Sequence, residues 1–526
     1  MIYLICPGSR NEAGEVVAAA LRRSCGAQAV QQVTAARWDA LLAQSARANF
    51  VAIDPLDAWA PLVARTRQQA GAKLLVLGVL HPDIAASLGA VVGPVTDAMR
   101  EAAQCLPAPS RGQTQSALGI RYVRPVGQTE SPMAQRPFLR YDFTDEWNNL
   151  GWGAVRADAS IWALAQHAVL QPDNVVAEVT QGGVTHGAYA GLWDGTSSSL
   201  LWFNRAAGPV DSQEWLLVER FLSSHRNGQL VCQPVIREIP HGYDAAVTMR
   251  LDCDEDVESA RPLYEAYQAM GVPFSLALHA TVLADAAHHS LPREVAAGGG
   301  AILSHTATHA PDWGGSYEAA LIEGASSAAS ILAATGKTVR YAVSPFHQTP
   351  SYARDGLADA GYAGCIGGII RNDPDFLMAR AGVPPGGGVG FIGHSQQCML
   401  HGDCMLASGD PLAIFKQAFT MAMRGGAFFG YLDHPFSPRY QYGWDNEPQR
   451  VAAHRDYVAW IKGHEKVLFA NENDAMDFLY WRARVEVMAA GTGYTVAAPA
   501  GSAPPWAVAV EYAGAIHRLG AQGLAL

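Results

Sequence analysis

Three short stretches concentrate the residues that could do chemistry: RLDCDED at 250–256, SHTATH at 304–309 and YLDH at 431–434. His305 and His309 are four apart, which on a helix sets both imidazoles on one face within reach of one ion. In a chain of 17 histidines that spacing alone means little, and a solvated pair at a helix start would explain it. Asp252 and Asp254 are two apart and share one side of an extended strand. One carboxylate and two imidazoles around an open position make a catalytic zinc-type site. Such an ion acidifies a bound water to a pKa of about 7 and polarises a carbonyl. A second carboxylate can then act as general base, and a separate histidine can protonate a leaving amine.

Stepping along the chain, the apolar runs AAVTMRL, VPFSLAL, GGAILS, RYAVS, AGCIGGI and GAFFGYL alternate with helix-like segments over residues 240–483. That alternation predicts a (β/α) barrel, whose reactive groups sit just after the strands. The first run ends at Asp252 and Asp254, the second at His279, and the third at His305 and His309. The fourth ends in SPFHQ, with Phe346 and His347. The fifth leads to RNDPD, with Arg371, Asp373 and Asp375, and a late run ends at His434. Acidic or imidazole groups thus follow these runs, whose bodies are almost wholly apolar. His279 has no partner in the sequence and reads as a cleft-lining residue. His394, Cys398, His401 and Cys404 supply enough donors for a structural zinc, but their intervals are too short for an ordinary finger, so a plain loop is expected.

The set TMRLDCD, SHTATH, VSPFH and GYLDH, with the closing FANENDAMDFLYW, resembles the motif pattern of the polysaccharide deacetylases, carbohydrate esterase family 4, over residues 240–482. The resemblance implies a distorted (β/α)7 barrel and metal-dependent hydrolysis of an N-acetyl group, usually on an amino sugar. It implies Asp252 as base, Asp254, His305 and His309 as metal ligands, and His434 as general acid. The backbone N–H of Phe346 would face the oxyanion, and Asp375 or Asp373 would orient His434. The implied ion is divalent, Zn²⁺ first, with Co²⁺, Ni²⁺ or Fe²⁺ as alternatives. The sequence departs from the pattern at three places. Val343 stands where the family often has an arginine that orients the base, with Arg371 or Arg250 as substitutes. The first motif is D-x-D with Asp256 close by, and His347 replaces a usual glycine.

The bulk of the chain sets the frame. Its 526 residues exceed what one core supports, so two to four domains are expected. Charged residues are only 16%, the net charge is −11, and no Lys/Arg cluster stands out, which argues against nucleic acid as a partner. No window reaches the ~18 apolar residues of a membrane span. The opening MIYLICPGSRNE does not read as a signal peptide, and eight scattered cysteines suit reduced thiols, so a cytoplasmic location is expected.

Residues 1–235 read as a doubly wound α/β unit, flavodoxin- or amidotransferase-like, without a nucleophilic cysteine elbow and with a supporting rather than catalytic role. The glycines of TQGGVTHGAYAG could cradle an anion. Residues 484–526 read as a short β-rich segment packed on the barrel. The leading expectation is a deacetylase acting on an acetylated carbohydrate or its precursor. Relatives on this fold also open cyclic amides and ureides, and a non-catalytic carbohydrate-binding protein is the alternative from another class.

Overall fold

The computed structural model describes residues 1–44, 48–104, 118–126, 155–209, 212–368, 380–388, 390–396 and 398–526. Arg371, Asp373 and Asp375 lie outside the described residues.

The first sheet is mixed. Strands Val30–Gln32, Ile2–Ile5, Asn49–Ile53, Lys73–Leu77 and Ser199–Phe203 run parallel in that spatial order. Alternate residues of a strand point to opposite faces. Leu4, Val51, Ile53, Leu75 and Leu77 therefore pack with helix Asn11–Cys25, while Phe50, Ala52, Leu74 and Val76 pack with helices Ala35–Ala43, Ala60–Gln68 and Pro82–Ser87. Helices cover both faces of this half, as a doubly wound unit would have them. The other half departs from it: Val184–Asp194, Val175–Gln181 and Gly119–Tyr122 extend the sheet antiparallel. The reason is local. Gly182 and Gly183 both take positive φ, 55° and 84°, and close a two-residue hairpin that only antiparallel strands can use. The glycines read as a possible anion cradle are thus a turn.

The second sheet carries the site. Strands Ala245–Cys253, Ser275–Leu278, Ala301–Ser304, Tyr341–Val343, Gly364–Gly368 and Ile392–Gln396 are successive parallel neighbours. On its other side the first strand pairs with Phe429–Asp433, which pairs with Cys398–Met399. Strands Ile392–Gln396 and Cys398–Met399 therefore meet opposite edges, and the parallel row curls back on itself as the barrel reading expects. Strand parity sorts the side chains. Val247, Met249, Leu251 and Cys253 join the outer core under the helices, and Thr248, Arg250 and Asp252 take the opposite face. The same alternation sets Leu276 and Leu278 outward and Ala277 inward, with His279 following in Ala277's parity.

A buried polar junction ties the two sheets together. Arg380 forms a two-pronged ion pair with Glu219, which also accepts from Ser24, and Glu238 accepts from the N–H groups of Ala381 and Phe428. Arg482 donates to the carbonyls of Arg23, Ile236, Arg237 and Ala381. Removing one member of a buried pair leaves the other charge uncompensated, at a cost of about 3–5 kcal/mol. Glu219→Ala is accordingly expected to lower the unfolding free energy measured in denaturant by that amount, far more than Asp39→Ala in the exposed pair with Arg65.

The C-terminal segment reaches beyond the barrel as well as touching it. Ala509–Tyr512 pairs with Val235–Ile236 rather than with the barrel, and the hydroxyl of Tyr494 accepts from the amino group of Met1. Val487 lies against Gly26 at the end of helix Asn11–Cys25. Its barrel contact runs through Trp506 on Phe478. The segment is a clasp between the units. Among the described residues, no helix is long and apolar enough to cross a membrane.

Candidate active site and metal centre

Asp254, His305 and His309 each aim one ligand atom into a common space, all within 4.8 Å of one another. The helical reading of the histidine pair does not hold: residues 305–309 form a loop after strand Ala301–Ser304. The two imidazoles meet because Thr306 and His309 adopt left-handed backbone, φ 65° and 55°. Two contacts fix that strained turn. The Thr306 hydroxyl accepts from the His309 N–H (2.8 Å), and Glu323 accepts from the N–H groups of Ala307 and Thr308 (both 2.9 Å) and from the Thr308 hydroxyl. Glu323 sits on helix Tyr317–Thr335, sixteen residues from the loop it holds.

The donor set fits a cation. Oδ1 of Asp254 is buried without a hydrogen bond, although Nε2 of His305 and of His309 stand 3.3 and 3.7 Å away. The two Nε2 atoms are 3.1 Å apart. Nδ1 of His305 lies 3.2 Å from the Val343 carbonyl, which sets the proton on Nδ1 and the lone pair on Nε2. Burial opposes the charge of Asp254, but the three imidazoles around it hold its pKa below the ordinary range. For His309, burial and the neighbouring His305 push the pKa down to about 4, so it offers a neutral ligand. Burial also disfavours charge on His305, yet Asp252 and Asp254 raise its pKa.

Asp252 stands beside this set without joining it. Arg250, two residues earlier on the same strand face and fully buried, donates to both of its oxygens and also pairs with Glu472. Burial pushes the Asp252 pKa up, but Arg250 and then His305 hold it well below the usual carboxylate range. A guanidinium thus stands against Asp252 from Arg250, whereas position 343 is an apolar valine. The sequence also left Glu472 unread, because its helix, Glu472–Arg482, lies far along the chain.

Across the opening, Nε2 of His434 is 3.8 Å from Oδ2 of Asp254, and its ring stacks on Tyr442 at 4.2 Å. Nδ1 of His434 meets Nε2 of His401 at 2.9 Å. The described group next to Nδ1 of His434 is thus the His401 imidazole. Asp433, with Oδ1 3.7 Å from Nε2 of His401, is engaged by the wall: it accepts from His454, Trp444 and the His434 N–H and pairs with Arg450. His401, Asp433 and His434 also lie close enough to hold an ion, but hydrogen bonds among themselves and with that wall already engage them. His394 packs on Phe428 and does not join His401.

His279 donates from Nδ1 to the Asp254 carbonyl (3.0 Å), leaving Nε2 buried without a partner beside His309. Phe346 and His347 both adopt positive φ, 50° and 57°, explaining why a glycine suits the second position. Phe346 stays exposed, with its ring 4.8 Å from His309. Burial pushes His347 down to about 3, keeping it neutral near Asp252. Exposed Tyr440, stacked on Tyr442, completes an aromatic rim.

No protein-family model and no curated protein matches this sequence. Solved structures that the chain resembles are polysaccharide deacetylases and members of carbohydrate esterase family 4, at low identity. A Mycobacterium smegmatis protein assigned as a polysaccharide deacetylase is 16% identical, covering 48% of this chain and 96% of its own, with a TM-score of 0.37. A family 4 acetyl xylan esterase from Clostridium thermocellum, in complex with cobalt, is 12% identical, covering 44% and 90%, with a TM-score of 0.31. An allantoinase is 16% identical, covering 47% and 93%, with a TM-score of 0.35. What this chain can do rests on its own residues.

Proposed function

We propose that this protein is a metal-dependent hydrolase that removes an N-acetyl group from an amino sugar or a polysaccharide precursor. The observation that carries the reading is the unpartnered, buried Oδ1 of Asp254 facing two imidazole nitrogens, with a separately held carboxylate beside them. Asp254, His305 and His309 would hold the ion, which when bound polarises the acetyl carbonyl and acidifies water. Zinc suits this mixed N/O set, with cobalt, nickel or iron as alternatives.

The chain's own residues supply the rest. Asp252, ionised and aligned by Arg250, takes a proton from the attacking water. His434 gives its Nε2 proton to the departing amine nitrogen. The Phe346 N–H and His279 bind and orient the acyl group. Exposed Phe346 and Tyr440 favour a sugar ring over a small cyclic amide, since aromatic faces stack on pyranose rings. In this reading residues 240–483 form the catalytic unit, and residues 1–235 and 484–526 support it.

The test is acetate release from N-acetylglucosamine oligosaccharides by protein loaded with zinc or cobalt, with the chelated protein as control. Metal-dependent release supports the reading. A protein that binds no metal and releases no acetate from these sugars or from an aryl acetate ends it.

A further inference from the structure

The His401 imidazole has no part in the chemistry just described, yet it is buried and touches His434. Three features fix it there. Its strand, Cys398–Met399, pairs with Tyr431–Leu432, so residues 401 and 434 follow neighbouring strand ends. The Tyr442 ring covers both imidazoles, 4.9 Å from His401 and 4.2 Å from His434. The loops bearing His401 and Tyr442 touch backbone to backbone. A Cβ on Gly402 would sit 2.2 Å from the Gly443 carbonyl oxygen, and one on Gly443 would sit 2.1 Å from the Asp403 nitrogen. Only glycine permits that approach, and it is what closes Tyr442 over the pair.

We propose that His401 is a positioning residue for amide cleavage: it holds His434 through Nδ1 so that Nε2 carries its proton toward the leaving nitrogen. The inference rests on the deacetylase reading above. The two nitrogens of His434 are then accounted for, Nδ1 by His401 and Nε2 by the space beside Asp254. Burial pushes the pKa of His401 down to about 3, so it serves as a neutral hydrogen-bonding partner. Asp433 cannot replace it, because its oxygens are taken by His454, Trp444, Arg450 and the His434 backbone.

The leaving group provides the test. An amine must be protonated to depart, whereas 4-nitrophenolate leaves without a proton. Full-length, zinc-loaded wild type and His401→Ala are compared on an N-acetylglucosamine oligosaccharide and on 4-nitrophenyl acetate. For the variant, kcat on the amide is expected to fall about 10- to 100-fold with KM within about twofold, since positioned acids contribute about 10²–10⁴. Its rate on the aryl ester stays within about threefold, and its zinc content is unchanged. His401→Gln, which keeps a side-chain amide at similar reach, recovers part of the amide rate. Equal losses on both substrates, or an unchanged amide rate, overturn the positioning role. Wild type inactive on both substrates removes the deacetylase reading itself, and this proposal with it.

Discussion

His305→Ala is expected to purify without its metal and to lose activity on the order of 10³-fold, because Lewis-acid polarisation contributes several kcal/mol. Of the three proposed ligands, His305 is the most firmly built in. It is 2% exposed, its Nδ1 is anchored on Val343, and its Nε2 lies closer to Asp254 than that of His309 does. Fold loss does not explain such a result, since the barrel strand beneath it is apolar and its loop is held by Glu323 and Thr306. Elemental analysis reads the metal and thermal unfolding reads the fold. The same residue sets the acid limb. Its raised pKa means that protons compete with the ion as pH falls, before Asp252 or Asp254 can protonate. Metal content and acetate release are expected to decline together on acidification, with one midpoint. Activity falling while the ion stays bound would contradict this ligand assignment.

How much of this was legible in the sequence follows from how local each feature is. Asp252, Asp254, His279, His305 and His434 stand directly after apolar runs, and strand ends converge on one barrel face, so their convergence could be read without coordinates. The loop geometry at 305–309 could not. Four-residue spacing suggests a helix, and only Glu323 and the left-handed Thr306 and His309 bring the imidazoles together as they are. The contact of Arg250 with Asp252 was readable because the two lie two residues apart on the same strand face. Glu472 and His401 act through contacts 222 and 33 residues apart, which no spacing rule reports. The antiparallel half of the first sheet was missed for a different reason. Gly182 and Gly183 looked like ligand-binding glycines, whereas their positive φ values serve a hairpin. The clasp made by residues 509–512 on 235–236 is likewise a long-range pairing of short, unremarkable strands.

Asp252→Asn separates base from ligand. The variant is expected to keep its metal and lose about 10²–10⁴-fold in kcat, as removal of a positioned general base does. Asp254→Asn is expected to lose the ion, because Oδ1 of Asp254, not Asp252, faces both imidazoles. The opposite pattern would exchange the two assignments. Asn at 252 keeps the shape and one acceptor for Arg250, and Glu472 still balances the guanidinium, so the fold survives at a cost of about 1–3 kcal/mol for the weakened charged hydrogen bonds. That cost has a defined pH dependence. A carboxylate whose folded pKa is depressed contributes stability above its unfolded value, and loses it as pH falls toward the folded one. The gap between wild type and Asp252→Asn should therefore be full at pH 7 and narrow below about pH 4. Denaturant unfolding of both chelated proteins at the two pH values measures it. A gap that widens in acid would show that Arg250 does not hold Asp252 as an ionised base.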